Sequence, residues 1–256
     1  MLSVRVIPCL LLRRRGLVKT VKFNDPAYVG DPINTVRIFN EMEVDELVFL
    51  DITASPDNKA PQFDLLEEIA NECFMPFAYG GGLRTVADIQ RLFELGAEKA
   101  VLNTAAHANP ALVTEAARRF GSQSVIVSID ARRSFLGRHQ VHVNGGRENT
   151  KLDPVEYAVK MARAGAGEIL ITSMDRDGTF SGYDLELTRR VAEAVQVPVI
   201  ACGGAGSLTD FQKAVKEGRA AAVAAGSLFV YQGSHRAVLV NYPAREKLET
   251  IFRTND

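Results

Sequence analysis

The chain has 256 residues, 46% of them hydrophobic and 24% charged, and its 30 basic and 31 acidic side chains leave a formal net charge of -1. So even a balance offers nothing to draw nucleic acid or an acidic membrane as partner. No apolar run approaches the ~18 residues of a membrane span, and the opening residues lack a signal-type core, so the expectation is a cytoplasmic protein.

From Val4 onward, short apolar β-rich segments alternate with longer segments of helical period. Strands are predicted over Val4–Leu10, Glu46–Asp51, Met75–Tyr79, Glu98–Asn103, Ser124–Asp130, Glu168–Thr172, Val197–Cys202 and Ala220–Ala225. The helices predicted to follow them are Ile33–Met42, Phe63–Glu72, Thr85–Leu95, Pro110–Phe120, Pro154–Ala164, Leu185–Val195, Leu208–Glu217 and Ala244–Phe252. Asn109 before Pro110 and Asp153 before Pro154 read as N-caps followed by first-turn prolines. Eight βα units in this length predict an α/β fold, a single (β/α)8 TIM barrel over residues 1–256, with a doubly wound open sheet as the competing arrangement. Internal repetition favours closure. The Gly-rich turn after strand three resembles that after strand seven, and strands two and four resemble six and eight, a half-barrel repeat.

Two insertions interrupt the pattern. Residues 11–31 follow strand one and carry Arg13, Arg14, Arg15, Lys19 and Lys22, while residues 131–152 follow strand five and include a predicted hairpin with an Asn144-Gly145 turn. Both leave the carboxyl ends of strands, where long loops serve as lids or binding loops. His139 and His142, three apart, do not share a hairpin face and read as solvated turn residues rather than metal ligands. Cys9, Cys73 and Cys202 are odd in number and widely spaced, which gives no disulfide framework and no metal signature, and each reads as a small packing residue. No metal, flavin or nicotinamide motif is present, so no cofactor is expected.

Candidate chemistry collects at the strand ends. The apolar run Ser124–Asp130 reads as a buried parallel strand, and its terminal acid makes Asp130 the first candidate for a catalytic group. Gly81 and Gly82, with Asn103 and Thr104, form one candidate phosphate cradle; Gly203 and Gly204, with Gly226 and Ser227, form a second. Two cradles imply a small-molecule substrate with a phosphate at each end, although glycine also serves tight βα turns. Asp51, Asp175 and Asp177 also lie at strand ends, and Asp177-Gly178 falls beside the second cradle. At the opposite ends of strands one, two, four and six stand Arg5, Glu46, Lys99 and Glu168, with alternating sign. Pointing inward they would close the barrel floor, as a stabilising plug or as the gate of a tunnel.

Segments around Arg5–Leu10, Asp45–Ser55, Gly80–Gly82, Asn103–Ala106, Gly121–Gln123, Gly165–Ser173, Asp175–Thr179, Ser181–Asp184 and Gly203–Gly206 together resemble the cyclase subunit of imidazole glycerol phosphate synthase over nearly the whole chain. The resemblance implies a barrel with a glutaminase docked on its floor, beside Glu98 and Gln123. It implies ammonia passing the gate Arg5, Glu46, Lys99 and Glu168 to a two-phosphate substrate, and Lys19 contacting an anion or holding a lid. It also implies two catalytic aspartates, at the ends of strands one and five, but here Leu11 stands where the first belongs. The wording of Pro8–Leu12, Gly16–Phe23 and Tyr28–Asn34 is similar to a paralogue group associated with glycosyl amidation in surface-polysaccharide clusters, which implies a separate sugar amidotransferase as a further partner. Three readings stand at this stage: the ammonia-handling barrel of a sugar-amidating system, a histidine-pathway cyclase with altered acid/base chemistry, and a non-catalytic conduit.

Overall fold

The computed structural model describes residues 4–233 and 235–253. Eight parallel strands form the barrel: β1 (Arg5–Arg13), β2 (Leu47–Asp51), β3 (Phe77–Gly80), β4 (Lys99–Leu102), β5 (Val125–Arg133), β6 (Glu168–Ser173), β7 (Val199–Cys202) and β8 (Ala222–Ala225). Each pairs with its sequence neighbours, and β8 pairs with β1, so the sheet closes and the open-sheet arrangement is excluded. The surrounding helices are α1 (Pro32–Glu41), α2 (Phe63–Glu72), α3 (Val86–Glu94), α4 (Pro110–Phe120), α5 (Pro154–Ala164), α6 (Leu185–Ala194), α7 (Leu208–Lys216) and α8 (Arg245–Phe252). No helix among the described residues is long and apolar enough to cross a membrane.

Strand alternation sorts the side chains into two layers. Ile7, Cys9, Val48, Ala78, Val101, Ile126, Leu170, Ile200, Cys202, Ala222 and Ala224 pack inside the barrel. Val6, Leu10, Leu12, Leu47, Phe49, Val127, Ile129, Ile169 and Ile171 face outward and pack with helix residues such as Phe39, Leu65, Ile89 and Phe211. One inward column of β1 therefore reads Arg5, Ile7, Cys9, Leu11, from floor through core to mouth.

The half-barrel repeat extends to the caps. Thr85 and Asp88 form a capping box at α3, and Ser207 and Asp210 form the matching one at α7. Short helices, Thr104–Ala108 and Ser227–Val230, follow β4 and β8. Asp153 caps α5 as expected, accepting from the Val155 and Glu156 amides. Asn109 precedes α4 but makes no side-chain cap bond.

Both insertions differ from loops. β1 runs to Arg13 and turns into a hairpin of Gly16–Val21 and Asn24–Gly30. β5 runs to Arg133 and pairs antiparallel with His139–Val143, with Asp130 opposite His142. Asn144 and Gly145 both have positive φ, as a tight hairpin turn demands. His139 and His142 are buried strand residues rather than solvated turn residues: His139 Nε2 lies 3.1 Å from Asp184, and His142 Nδ1 lies 3.2 Å from the Gly146 carbonyl. A third hairpin, Tyr231–Gln232 with Ala237–Val238, follows β8 and has no counterpart in the sequence expectation.

Candidate active site

The carboxyl ends of the strands surround a cavity of about 770 Å³. Asp130 forms part of its wall, its carboxyl sunk between neighbours: Asn103 Nδ2 donates to it at 3.3 Å and to the Ser128 carbonyl at 3.0 Å. Burial, and then the negative charge of Asp177, push the Asp130 pKa up to about 7, so near neutrality it can hold or release a proton.

Gly81, Gly82, Asn103 and Thr104, the first candidate cradle, all lie on the cavity wall. Gly82 also has a packing reason to be glycine. At φ +73° its Cβ would stand 2.7 Å from the Lys59 carbonyl, so a larger residue there would disturb the Lys59–Pro61 segment as well as any anion. Asn144, just behind the cavity wall, ties the second insertion to this group: its amide donates to Thr104 Oγ1 at 3.0 Å, and its buried Oδ1 has no partner among the described residues. Its Asn-Gly turn signal was present in the sequence; that the turn folds back onto β4 was not.

The second set is arranged differently. Asp177 and Gly226 reach the cavity wall, whereas Gly178, Gly203, Gly204 and Ser227 are not among its lining residues. The first hairpin covers this side. Lys19 Nζ lies 3.1 Å from Asp177 Oδ1, Thr20 Oγ1 donates to Asp177 Oδ2 at 3.1 Å, and the Lys22 amide donates to the Asp177 carbonyl at 2.8 Å. Gly178, at φ +73°, lies so close beneath the Thr20 carbonyl that any side chain would collide with it. Burial works against the Lys19 charge, but Asp177 and the nearby Cys9 and Cys202 together outweigh it and hold the pKa above the ordinary lysine value. The hydroxyls of Ser173 and Ser227 on this side are buried without a partner among the described residues.

Removing the latch has a definite expected outcome. Lys19→Met leaves Asp177 buried beside one hydroxyl, and breaking a buried ion pair on one side costs about 3–5 kcal/mol. Urea unfolding should show most of that loss, and limited proteolysis should cut within residues 16–30. An uncut hairpin and unchanged stability would show that Lys19 does not hold it.

The other acids are already committed. Asp51 accepts from the Thr53 amide and hydroxyl, the Ala54 amide and Gln62 Nε2, so it organises the turn after β2. Asp175 accepts from the Arg133 amide and does not line the cavity. Leu11 does line it, as an apolar side chain. Around the rim, Arg13, Arg14, Lys59, Arg132 and Arg147 outnumber Asp25 and Asp57, a balance that favours an anionic ligand.

At the floor the four charges meet in a closed ring. Arg5 bonds to Glu46 and to Glu168 (3.0 Å), and Lys99 bonds to Glu46 (2.9 Å) and Glu168 (3.1 Å). Glu98 and Gln123 are exposed immediately before β4 and β5, on the same face. Among the described residues no cluster of His, Cys, Asp or Glu has the geometry to hold a metal ion.

A closed (β/α)8 barrel with a buried acid, glycine turns and a basic rim at the carboxyl ends of its strands has the layout in which barrels of this class carry their sites. Within that class the chain belongs to the histidine biosynthesis protein family, whose model matches residues 5–236. It is 53% identical over 249 residues to a Pseudomonas aeruginosa protein provisionally named imidazole glycerol phosphate synthase subunit hisF2, covering 97% of this chain and 99% of that one. It is 49% identical over 231 residues to imidazole glycerol phosphate synthase subunit HisF of Alkaliphilus metalliredigens, covering 90% and 92%. A Leptospira interrogans protein with the provisional name HisF is 46% identical over 253 residues, 98% and 100% of the two chains.

Proposed function

We propose that the chain is the ammonia-using barrel subunit of a glutamine-dependent synthase of the imidazole glycerol phosphate synthase kind. A glutaminase docks on the floor beside Glu98 and Gln123, and ammonia enters through the ring of Arg5, Glu46, Lys99 and Glu168. It then reacts beside Asp130 with a phosphate-bearing substrate. The observation that carries this reading is the stacking, along one barrel interior, of the charged ring at the floor, an apolar layer above it and Asp130 at the mouth. The relatives named as imidazole glycerol phosphate synthase subunits support that synthase reaction, which the family resemblance implies to be ring closure on a two-phosphate ribonucleotide imine.

Leu11 favours a second reading. Ring closure needs proton delivery and removal at separate atoms, and an alkyl side chain does neither. With that step moved elsewhere, the barrel would supply ammonia for amidation of an N-acetylated surface sugar, together with a separate sugar amidotransferase. A purely passive conduit is disfavoured, because it has no need of a carboxyl buried at the cavity wall.

The deciding experiment is turnover of the ribonucleotide imine with excess ammonium salt, by the native chain and by Leu11→Asp. Turnover by both, at least ~10-fold faster in the variant, is expected for the cyclase, since one general acid or base contributes ~100-fold or more. No turnover by the native chain, with activity appearing in Leu11→Asp, would transfer the assignment to sugar amidation.

A further inference from the structure

We propose that Cys202 is the second proton-transfer group of this site, joined to Asp130 through the hydroxyl of Thr172. The three residues form one row across adjacent strands: Thr172 of β6 is in register with Asp130 of β5 on one side and with Cys202 of β7 on the other. Residues paired in this way point to the same face of a sheet, and all three line the cavity. The Thr172 hydroxyl stands between the Asp130 carboxyl and the Cys202 thiol, near enough to each to favour its charged form, and the Cys9 thiol neighbours Cys202 from β1. A hydroxyl donates and accepts at once, so Thr172 can pass a proton between its neighbours.

The assignment fills a specific gap. Leu11 carries no proton, Asp51 is held by its own turn, Asp177 is held by Lys19 and Thr20, and Asp175 lies off the cavity. The proton balance closes. The Cys202 thiol gives its proton to the substrate atom that gains negative charge, and the proton of Asp130 moves to Thr172 as Thr172 passes its own to Cys202. The carboxylate so formed then takes a proton from the substrate. Each group ends as it began, with Thr172 as the positioning residue.

The surroundings support this role. The charged and titratable groups nearest the thiol are Cys9, Lys19, Asp177 and, from the loop before α6, Tyr183. The neighbouring Cys9 thiol lowers the Cys202 pKa despite burial.

The turnover arm of the test rests on the proposed function; the thiol arm does not. In the full chain, iodoacetamide labelling from pH 5.5 to 9.5, read by peptide mass spectrometry, separates Cys202 from Cys9 and Cys73. The midpoint for Cys202 is expected below the ~8.5 of an ordinary thiol, and Thr172→Val should raise it by about one pH unit. An ordinary midpoint unmoved by Thr172→Val overturns the relay, as does labelling seen only in denaturant. In the ammonium-driven assay, Cys202→Ala should lower kcat at least ~10-fold with little change in KM. An unchanged kcat and pH profile would also overturn it. If the native chain turns over no imine, the function reading fails, and the labelling profile alone decides the relay.

Discussion

Asp130→Asn is expected to remove turnover and, above pH 7, to make the protein more stable. The carboxyl has a pKa of about 7 in the fold, chiefly because burial disfavours its charged form, against ~3.9 in an unfolded chain. Between those values the folded state holds the proton that the unfolded state has released. Stability therefore falls as pH rises through this window, and the penalty is fully present above pH 7. At ~1.4 kcal/mol per pKa unit the penalty is about 2–4 kcal/mol. Asparagine fits the same space and carries no such penalty. Urea unfolding at pH 4.5 and 8.5 should show the variant close to native stability at the lower pH and more stable by a few kcal/mol at the higher. An equal difference at both values would mean that Asp130 is not charged against its surroundings. Turnover should fall at least ~100-fold, the share of one general acid or base.

The barrel was legible because its physics is local. Each strand is short and apolar, most helices begin at a cap or proline, and the predicted limits of α2, α4 and α5 coincide with those observed. The floor ring was legible for the same reason, since a charge opening an apolar strand has few places to go but the barrel end. The first hairpin was not. Its turn places Lys22 and Phe23 at positive φ without glycine or asparagine, so nothing in the sequence marks it. The latch follows from that miss, because Lys19 reaches Asp177 only when the hairpin folds back over β6. Asp51 looked like Asp130 in sequence, each an acid ending a strand, and only the donors of its turn set it apart. Cys202 read as a packing residue because its row with Thr172 and Asp130 depends on register between strands roughly 30 to 40 residues apart in sequence. Fold came from periodicity; the roles of the acids and thiols came from what the closed barrel sets beside them.

Lys99→Ala is expected to weaken the fold and to uncouple the two nitrogen sources. Each acid of the ring is bridged by both bases, so the charges neutralise one another only while all four are present. Glu46 and Glu168 are nearly enclosed, with side chains 4% and 11% exposed, whereas Arg5 is 30% exposed. Removing Lys99 leaves two enclosed carboxylates sharing one guanidinium. Stripping a buried pair of one partner costs about 3–5 kcal/mol, and the partial exposure of Arg5 and the acids' remaining bonds to it place this case near the lower figure. Chemical unfolding should report that loss. The functional effect is separate, because Lys99 sits at the floor while the reacting groups lie at the mouth. On the proposed function, with a glutaminase bound, the shortened side chain opens the floor and ammonia escapes before it reaches Asp130. Glutamine-dependent turnover should fall roughly 10-fold or more, as expected when delivery rather than chemistry limits the rate, while turnover with saturating ammonium should stay within about threefold. Lys99→Met, which keeps the length but not the charge, should lose stability to a similar degree yet leak less. Equal losses with both nitrogen sources in both variants would leave the ring as a structural plug and remove the gate from the proposed function.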